Sequence, residues 1–352
     1  MLSYNAIGVM SGTSQDGLDI ALCKFSKKNK IWNYSVIKAK TVAFPADWLK
    51  KINNINKLSS YEFLKLHNSF GSYIGNCINT FLSDIKARVD LIASHGHTVF
   101  HRPAEKLTFQ LGSGAEIAAK CATTTVSDFR SLDIALNGQG APLVPVGDDI
   151  LFGEYGSCLN LGGFANISYR KGNDRFAYDI CPVNIIINNL AGKLNYKLDR
   201  DGSIASKGEI NYPLLEQLNG INYYRKATPK SLSREWLQEE FLPVVNKLKL
   251  PVENKMRTIY EHIINQITNN VNLIDKGNIL LTGGGAFNKF LLKLLNENCE
   301  HEIIIPDKQI VKYKEALIFA FLGVLRLRKE ANCLSSVTGA ESDTCTGTVY
   351  YY

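Results

Sequence analysis

Residues 8–19 read Gly8-Val9-Met10-Ser11-Gly12-Thr13-Ser14-Gln15-Asp16-Gly17-Leu18-Asp19. An apolar run from Ala6 to Met10 enters a turn of glycine and hydroxyl residues, and a second apolar run, Ile20 to Phe25, leaves it. Two strands joined in this way make an anion grip. Glycine lets backbone N–H groups approach an anion closely, and serine and threonine add donors without bulk. The turn is not a Walker loop, because no Gly-Lys-Ser/Thr follows and a strand comes next. Taken alone, the same composition describes an ordinary hairpin. Its weight comes from recurrence. Residues 158–169, Cys-Leu-Asn-Leu-Gly-Gly-Phe-Ala-Asn-Ile-Ser-Tyr, again read strand, turn, strand, with Gly162 and Gly163 at the turn. A third turn, Thr282-Gly283-Gly284-Gly285-Ala286-Phe287-Asn288, follows a strand and precedes a helix. Three glycine turns at strand ends predict a nucleotide held between two similar halves.

Outward from these turns, the pattern predicts strands at 4–10, 19–25 and 32–39. A long helix follows, opened by a capping box of Ser59 and Glu62, with Phe63, Leu66, Phe70, Ile74, Cys77 and Phe81 on one face. Next come a strand at 90–93, a loop carrying three histidines, a strand at 107–111, a helix near 115–121 and a strand at 123–126. The second half begins alike, with strands at 157–161, 166–169 and 175–178 and a helix near 184–194. A loop-rich stretch runs through Pro229. Then come a helix at 252–273, a strand at 278–281, a helix at 288–295, a strand at 302–305 and a helix at 313–329. The fold class is α/β: two ribonuclease-H-like (actin-like ATPase) domains around a central nucleotide and substrate cleft. The expected domains are 1–130 and 131–334, with 335–352 returning to the first and a hinge between Ser127 and Asp149.

The chain has 352 residues, 45% hydrophobic and 21% charged, which is globular composition for two domains. Its net charge of +7 is scattered, with no basic-aromatic stripe, so small anions are favoured over nucleic acid as partners. None of the eight cysteines forms a C-x-x-C pair, and the N-terminus opens into a strand with no signal peptide and no 18-residue apolar run. Reduced thiols and a cytoplasmic location are expected.

Asp179 follows Phe176-Ala177-Tyr178 and precedes Ile180-Cys181-Pro182-Val183-Asn184. A carboxylate at a strand end beside a Pro turn can serve as general base, or as a helix N-cap. His95, His97 and His101 invite a zinc reading, but without cysteine or carboxylate support a substrate-lining loop is preferred. Arg130 offers planar recognition of a carboxylate or sugar oxygens, or a salt bridge with Asp128 or Asp133. Glu315 lies early in the last helix, where an acid also suits the helix dipole.

With these motifs in order, the chain resembles the anhydro-N-acetylmuramic acid kinases of the sugar kinase/Hsp70/actin superfamily, nearly end to end. Residues 10–19 look like the family's first phosphate motif, and Ser94-His95-Gly96-His97-Thr98 with His101-Arg102-Pro103 like its substrate loop. Asp128-Phe129-Arg130 and residues 138–145 match its hinge segment. Residues 160–166 match the second phosphate motif, and 282–288 the adenosine motif. Pro229-Lys230-Ser231 with Arg234-Glu235 also match. The resemblance implies hydrolytic opening of a 1,6-anhydro ring with transfer of the ATP γ-phosphoryl to O6, in cell-wall recycling. Asp179 then corresponds to the catalytic aspartate. The implied ATP site is Ser11, Gly12, Thr13, Ser14, Asp16, Gly162, Gly163, Asn166, Gly283, Gly284, Gly285 and Asn288. The implied sugar site is His95, His97, Thr98, Arg130, Gln139, Asn184 and Glu315. Mg²⁺ would arrive with ATP rather than on a protein cluster, and a homodimer is a possible assembly. Two alternatives stay open: an ordinary sugar kinase of the same fold, and a non-catalytic ATP-gated sensor. The sequence departs from the family where Asp-Thr-Gly-Pro-Gly-Asn is usual and Asp179-Ile180-Cys181-Pro182-Val183-Asn184 stands here. His97 replaces a Gln and Asn137 a Gly.

Overall fold

Twelve strands are present in the computed structural model, which describes residues 2–12, 17–228, 230–275 and 277–352. In chain order they are β1 Leu2–Ser11, β2 Leu18–Lys28, β3 Ile31–Val42, β4 Leu91–Arg102, β5 Leu107–Leu111, β6 Thr125–Ser127, β7 Ser157–Leu161, β8 Phe164–Lys171, β9 Asp174–Pro182, β10 Ile279–Thr282, β11 Ile303–Ile304 and β12 Thr348–Tyr350. They fall into two compact units: Met1–Leu151 with Tyr313–Tyr352, and Phe152–Lys312.

The first unit carries a seven-stranded sheet ordered β12-β6-β4-β1-β2-β3, with β5 on β4. β1, β2 and β3 are antiparallel neighbours, whereas β4 joins β1, and β6 joins β4, in parallel. The second unit has a five-stranded sheet ordered β11-β10-β7-β8-β9. Here β7, β8 and β9 are antiparallel, and β10 joins β7, and β11 joins β10, in parallel. A three-strand meander extended by two parallel strands therefore occurs twice. This is the ribonuclease-H-like duplication expected from the sequence.

The boundaries lie at Leu151/Phe152 and Lys312/Tyr313, against expectations of 130/131 and 334/335. Buried bonds explain why 131–151 stay with the first unit. The Asp133 carboxylate accepts from Thr338 Oγ1 at 2.7 Å and from the Gly140 N–H at 2.7 Å. Asp148 pairs with Lys314 Nζ at 2.7 Å, both side chains nearly inaccessible. The helix Lys308–Leu327 is interrupted at Tyr313 (φ −118°, ψ 15°), where the chain passes between units. Glu315 thus lies in the first turn after the kink, early in the helical segment that the sequence reading starts at 313.

Each unit has its own core. In the first, the helix Ser60–Leu82 opens with the expected capping box and lays Phe70, Ile74, Ile78 and Phe81 against Ile7, Ile20, Leu22 and Ile92. On the last helix, backbone contact is so close that a Cβ on Gly8 would fall 1.7 Å from Ala316 O, so only glycine fits there. In the second, Ile259, Ile263 and Ile267 of the helix Val252–Val271 pack with Leu159, Ile167 and Leu281. The expected loop-rich stretch before Pro229 is mostly short helix: Arg200–Gly202, Ala205–Lys207, Tyr212–Asn219 and Asn222–Arg225.

The three-histidine segment is strand, not loop. Between the pairs Val9/Ser94 and Ser11/His97 one residue of β1, Met10, opposes two of β4, which is a bulge at His95-Gly96. Gly96 takes φ +74°, and the strand continues into antiparallel pairing with β5. A glycine that reads as a breaker here acts as the bulge residue.

Candidate active site

In the second unit Asp179 sits within β9, which runs on to Pro182, rather than at the strand's end. Its backbone N–H donates to Lys230 O at 3.3 Å, and its carbonyl accepts from Tyr223 Oη at 2.7 Å. Its Oδ2 accepts from the Leu232 N–H at 2.8 Å. The residue is therefore gripped from three directions while its side chain keeps partial exposure. Burial pushes the carboxyl up to about 6, against the smaller opposing effect of the Leu232 bond. It is not a helix cap: Val183 holds that position for the helix Asn184–Gly192.

Asn166 is the register partner of Asp179 on β8. The Gly162-Gly163 turn lies one strand-turn away, and its carbonyls are occupied. Asn184 Nδ2 donates to Leu161 O at 2.8 Å and Gly162 O at 2.7 Å, and the Val183 N–H donates to Gly163 O at 2.8 Å. Asn184, expected to bind sugar, here shapes the glycine turn. A Cβ on Gly163 would meet only Ile185 Cβ, at 3.8 Å, so this face of the turn is open. Gly283 is different. It takes φ +84°, and a Cβ would lie 2.5 Å from Asn160 Oδ1 and 2.7 Å from Leu161 C. Gly285 is packed on Leu161 in the same way, while Gly284 has ordinary room. Asn288 caps the helix Lys289–Asn298 through the Leu291 N–H and donates to Tyr260 Oη at 2.7 Å, so its side chain serves the fold.

In the first unit His95 Nδ1 donates to Gly96 O at 2.9 Å, which leaves Nε2 as acceptor. Arg130 forks onto that nitrogen through Nε at 3.0 Å and Nη2 at 2.8 Å, and its Nη1 donates to Gly140 O at 2.5 Å. Burial and the guanidinium hold His95 well below the usual histidine range. Burial also lowers Arg130, to about 10, against the pull of Glu315. Arg130 thus bonds His95 rather than bridging to Asp128 or Asp133. Glu315 is exposed at the surface. Surrounding protein and then the Asp19 carboxylate raise its pKa, and Arg130 and Lys314 oppose them. The arrangement brings His95, Arg130 and Glu315 together. Ser11 Oγ bonds His97 Nδ1 at 2.9 Å, fixing the end of β1 where the first glycine turn begins. Thr98 stands in β4 opposite Gln110, and Gln139 is exposed, held by its N–H on Thr338 O. Gly12 is described, but Thr13, Ser14 and Asp16 lie outside the described residues.

Asn137, expected from the sequence to stand in place of a family glycine, takes φ +66°, a conformation asparagine tolerates. Cys181 and Val183 have negative φ and are fully buried in the core of the second unit. Among the described residues no group of three or more His, Cys, Asp or Glu is placed to hold a metal ion. The sequence reading missed Tyr223 and the grip of 230–232 on Asp179. The Lys230-Ser231 match was their one visible signal.

A duplicated ribonuclease-H-like chain with glycine turns at strand ends and a carboxyl raised to about 6 suits a phosphotransferase. The chain belongs to the anhydro-N-acetylmuramic acid kinase family, whose model matches residues 4–352. It is 34% identical to the anhydro-N-acetylmuramic acid kinase of Sulfurovum sp. (strain NBC37-1), covering 98% of each chain. It is 32% identical to that of Francisella tularensis subsp. novicida (strain U112), again over 98% of each. The kinase of Clostridioides difficile (strain 630) is 32% identical over 98% of this chain and 97% of that one. Among solved structures, the activator of the 2-hydroxyisocaproyl-CoA dehydratase from Clostridium difficile aligns with a TM-score of 0.42 and 14% identity, over 92% of this chain and 97% of that chain. No helix of the described residues is long and apolar enough to cross a membrane.

Proposed function

We propose that this chain opens the ring of 1,6-anhydro-N-acetylmuramic acid with water and transfers the γ-phosphoryl of ATP to O6, giving N-acetylmuramic acid 6-phosphate and ADP in the cytoplasm. The observation that carries the reading is Asp179, a gripped, partly exposed carboxylate with a pKa near about 6. Asp179 takes a proton from water as the water oxygen attacks C1. The C1–O6 bond breaks, and O6 with its electron pair accepts the phosphoryl group. A general base works best with a pKa near the operating pH, and contributes ~10²–10⁴-fold. The open face of Gly163 and the N–H groups of the Gly283–Gly285 turn suit phosphate oxygens. Mg²⁺ arriving with ATP would offset the phosphate charge. Arg130, presented on a neutral His95, can donate to a carboxylate or carbonyl of the sugar.

The test is the reaction in H₂¹⁸O, sampled before the product's anomeric oxygen exchanges. One label at C1 and none in the phosphate ester is expected. Unlabelled product, or phosphorylation of plain N-acetylmuramic acid or glucose at comparable efficiency, would instead make this an ordinary sugar kinase. ATP turnover indifferent to the anhydro sugar would favour a sensor.

A further inference from the structure

Lys230 is half-buried, yet its ammonium makes no hydrogen bond or ion pair among the described residues. Lysine rarely enters protein without a counter-charge. Here two rings receive it: Nζ lies 5.0 Å from the Tyr223 ring centre and 5.6 Å from that of Tyr178. Such contacts hold the stem but are weaker than a charged hydrogen bond. Both tyrosines are tied to the proposed base. Tyr178 precedes Asp179 in β9, and Tyr223 donates to the Asp179 carbonyl. Lys230 itself accepts the Asp179 N–H, and two residues later Leu232 donates to the Asp179 carboxylate. The ammonium is therefore mounted on the same three-residue segment that grips Asp179. Burial lowers its pKa, but nothing acidic has been placed against it. The glycine turns at 158–169 and 281–288 contain no Lys or Arg, although phosphoryl transfer concentrates negative charge that fixed cations stabilise.

We propose that Lys230 is an anion-binding residue of this site, its ammonium taking an oxygen of the reacting phosphoryl group or of the sugar's carboxylate. The proposal rests on the reaction proposed above for its substrates. The two tyrosine faces position the cation, and the segment 230–232 couples that position to Asp179.

Three proteins test it: wild type, Lys230→Met, which keeps most of the stem, and Lys230→Arg, which keeps the charge. Each is assayed with 1,6-anhydro-N-acetylmuramic acid and with 1,6-anhydro-N-acetylglucosamine, which lacks the lactyl carboxylate. Each is also titrated calorimetrically with ATP and with each sugar. Lys230→Met is expected to lose ~10²-fold in kcat/KM, the usual scale for one lost charge-stabilising donor, and Lys230→Arg to recover part of it. An equal loss with both sugars and weaker ATP binding assigns the ammonium to phosphoryl oxygen. A loss confined to the lactyl sugar assigns it to the carboxylate. Activity within threefold of wild type on both sugars, with unchanged affinities, overturns the proposal. So does an equal loss in Met and Arg with a lowered Tm, which marks a packing role. If wild type turns over neither sugar, the function reading fails, while the calorimetric titrations still decide whether Lys230 binds an anion.

Discussion

Asp179→Asn should separate activity from stability. The amide oxygen of Asn can accept the Leu232 N–H that Asp179 Oδ2 now accepts at 2.8 Å. The backbone bonds to Lys230 and Tyr223 do not involve the side chain. The variant should therefore fold, while turnover falls by ~10²–10⁴-fold with loss of the base. Folding raises the carboxyl from its ordinary 3.8 to about 6. At about 1.4 kcal/mol per unit this is up to about 3 kcal/mol. Below pH 4 both folded and unfolded forms are protonated and the group contributes nothing. As pH rises from 4 to 6 the unfolded chain releases its proton more readily, so the folded state loses ground, and above pH 6 the full penalty applies. Asn carries no such penalty. Urea denaturation at pH 8 should show the variant more stable by up to about 3 kcal/mol, with the gap closing toward pH 4. Wild-type kcat/KM should rise with pH to a plateau, half-maximal near about 6. A variant less stable at pH 8 would make the carboxylate a structural anchor. One retaining more than a tenth of wild-type turnover would remove Asp179 from the mechanism.

Gly163→Val should fold normally, since a Cβ there meets only Ile185 at 3.8 Å, and should raise the ATP KM in steady-state assays. Gly283→Ala should instead lower the Tm, because φ +84° and a 2.5 Å approach to Asn160 leave no room; an unchanged Tm would contradict that packing. Arg130→Ala should raise the sugar KM more than the ATP KM, and a reversed pattern would move Arg130 to the phosphate site. Lys314→Met should destabilise by about 3–5 kcal/mol in denaturant, because it strands the nearly inaccessible Asp148 carboxylate without its partner.

What the sequence disclosed was local. Ser59 and Glu62 are three residues apart, and their capping box forms as spaced. The glycine turns were legible because each lies between two apolar runs, and their recurrence disclosed the duplicated sheet. What stayed hidden depends on distant partners. Gly96 and Pro103 read as loop punctuation, yet β5 supplies a ladder that carries the strand past the bulge. Asp128 and Asp133 looked like natural mates for Arg130, but its partner is His95, 35 positions away, because Asp133 is already taken by Gly140, Cys333 and Thr338. The acceptor on Asp179 is met by a backbone N–H 53 residues on. No periodicity announces a backbone donor of that kind.

The departures from the family pattern have a consistent physical reading. A glycine can be required for its backbone angles or for the space it leaves to a ligand. Cys181 and Val183 have φ values any residue can adopt, and both side chains point into the core among Ile180, Ile186 and Ile187. They add apolar packing to the buried core of the second unit. Asn137 meets the other requirement, keeping the left-handed angle with the residue best able to replace glycine there. At Gly283 and Gly285, within the stretch that resembles the family's adenosine motif, a Cβ would collide with Leu161. The substitutions thus fall where the fold can absorb a side chain. The carboxylate of Asp179, its three-point grip and the open turn at Gly163 are left intact for the proposed chemistry.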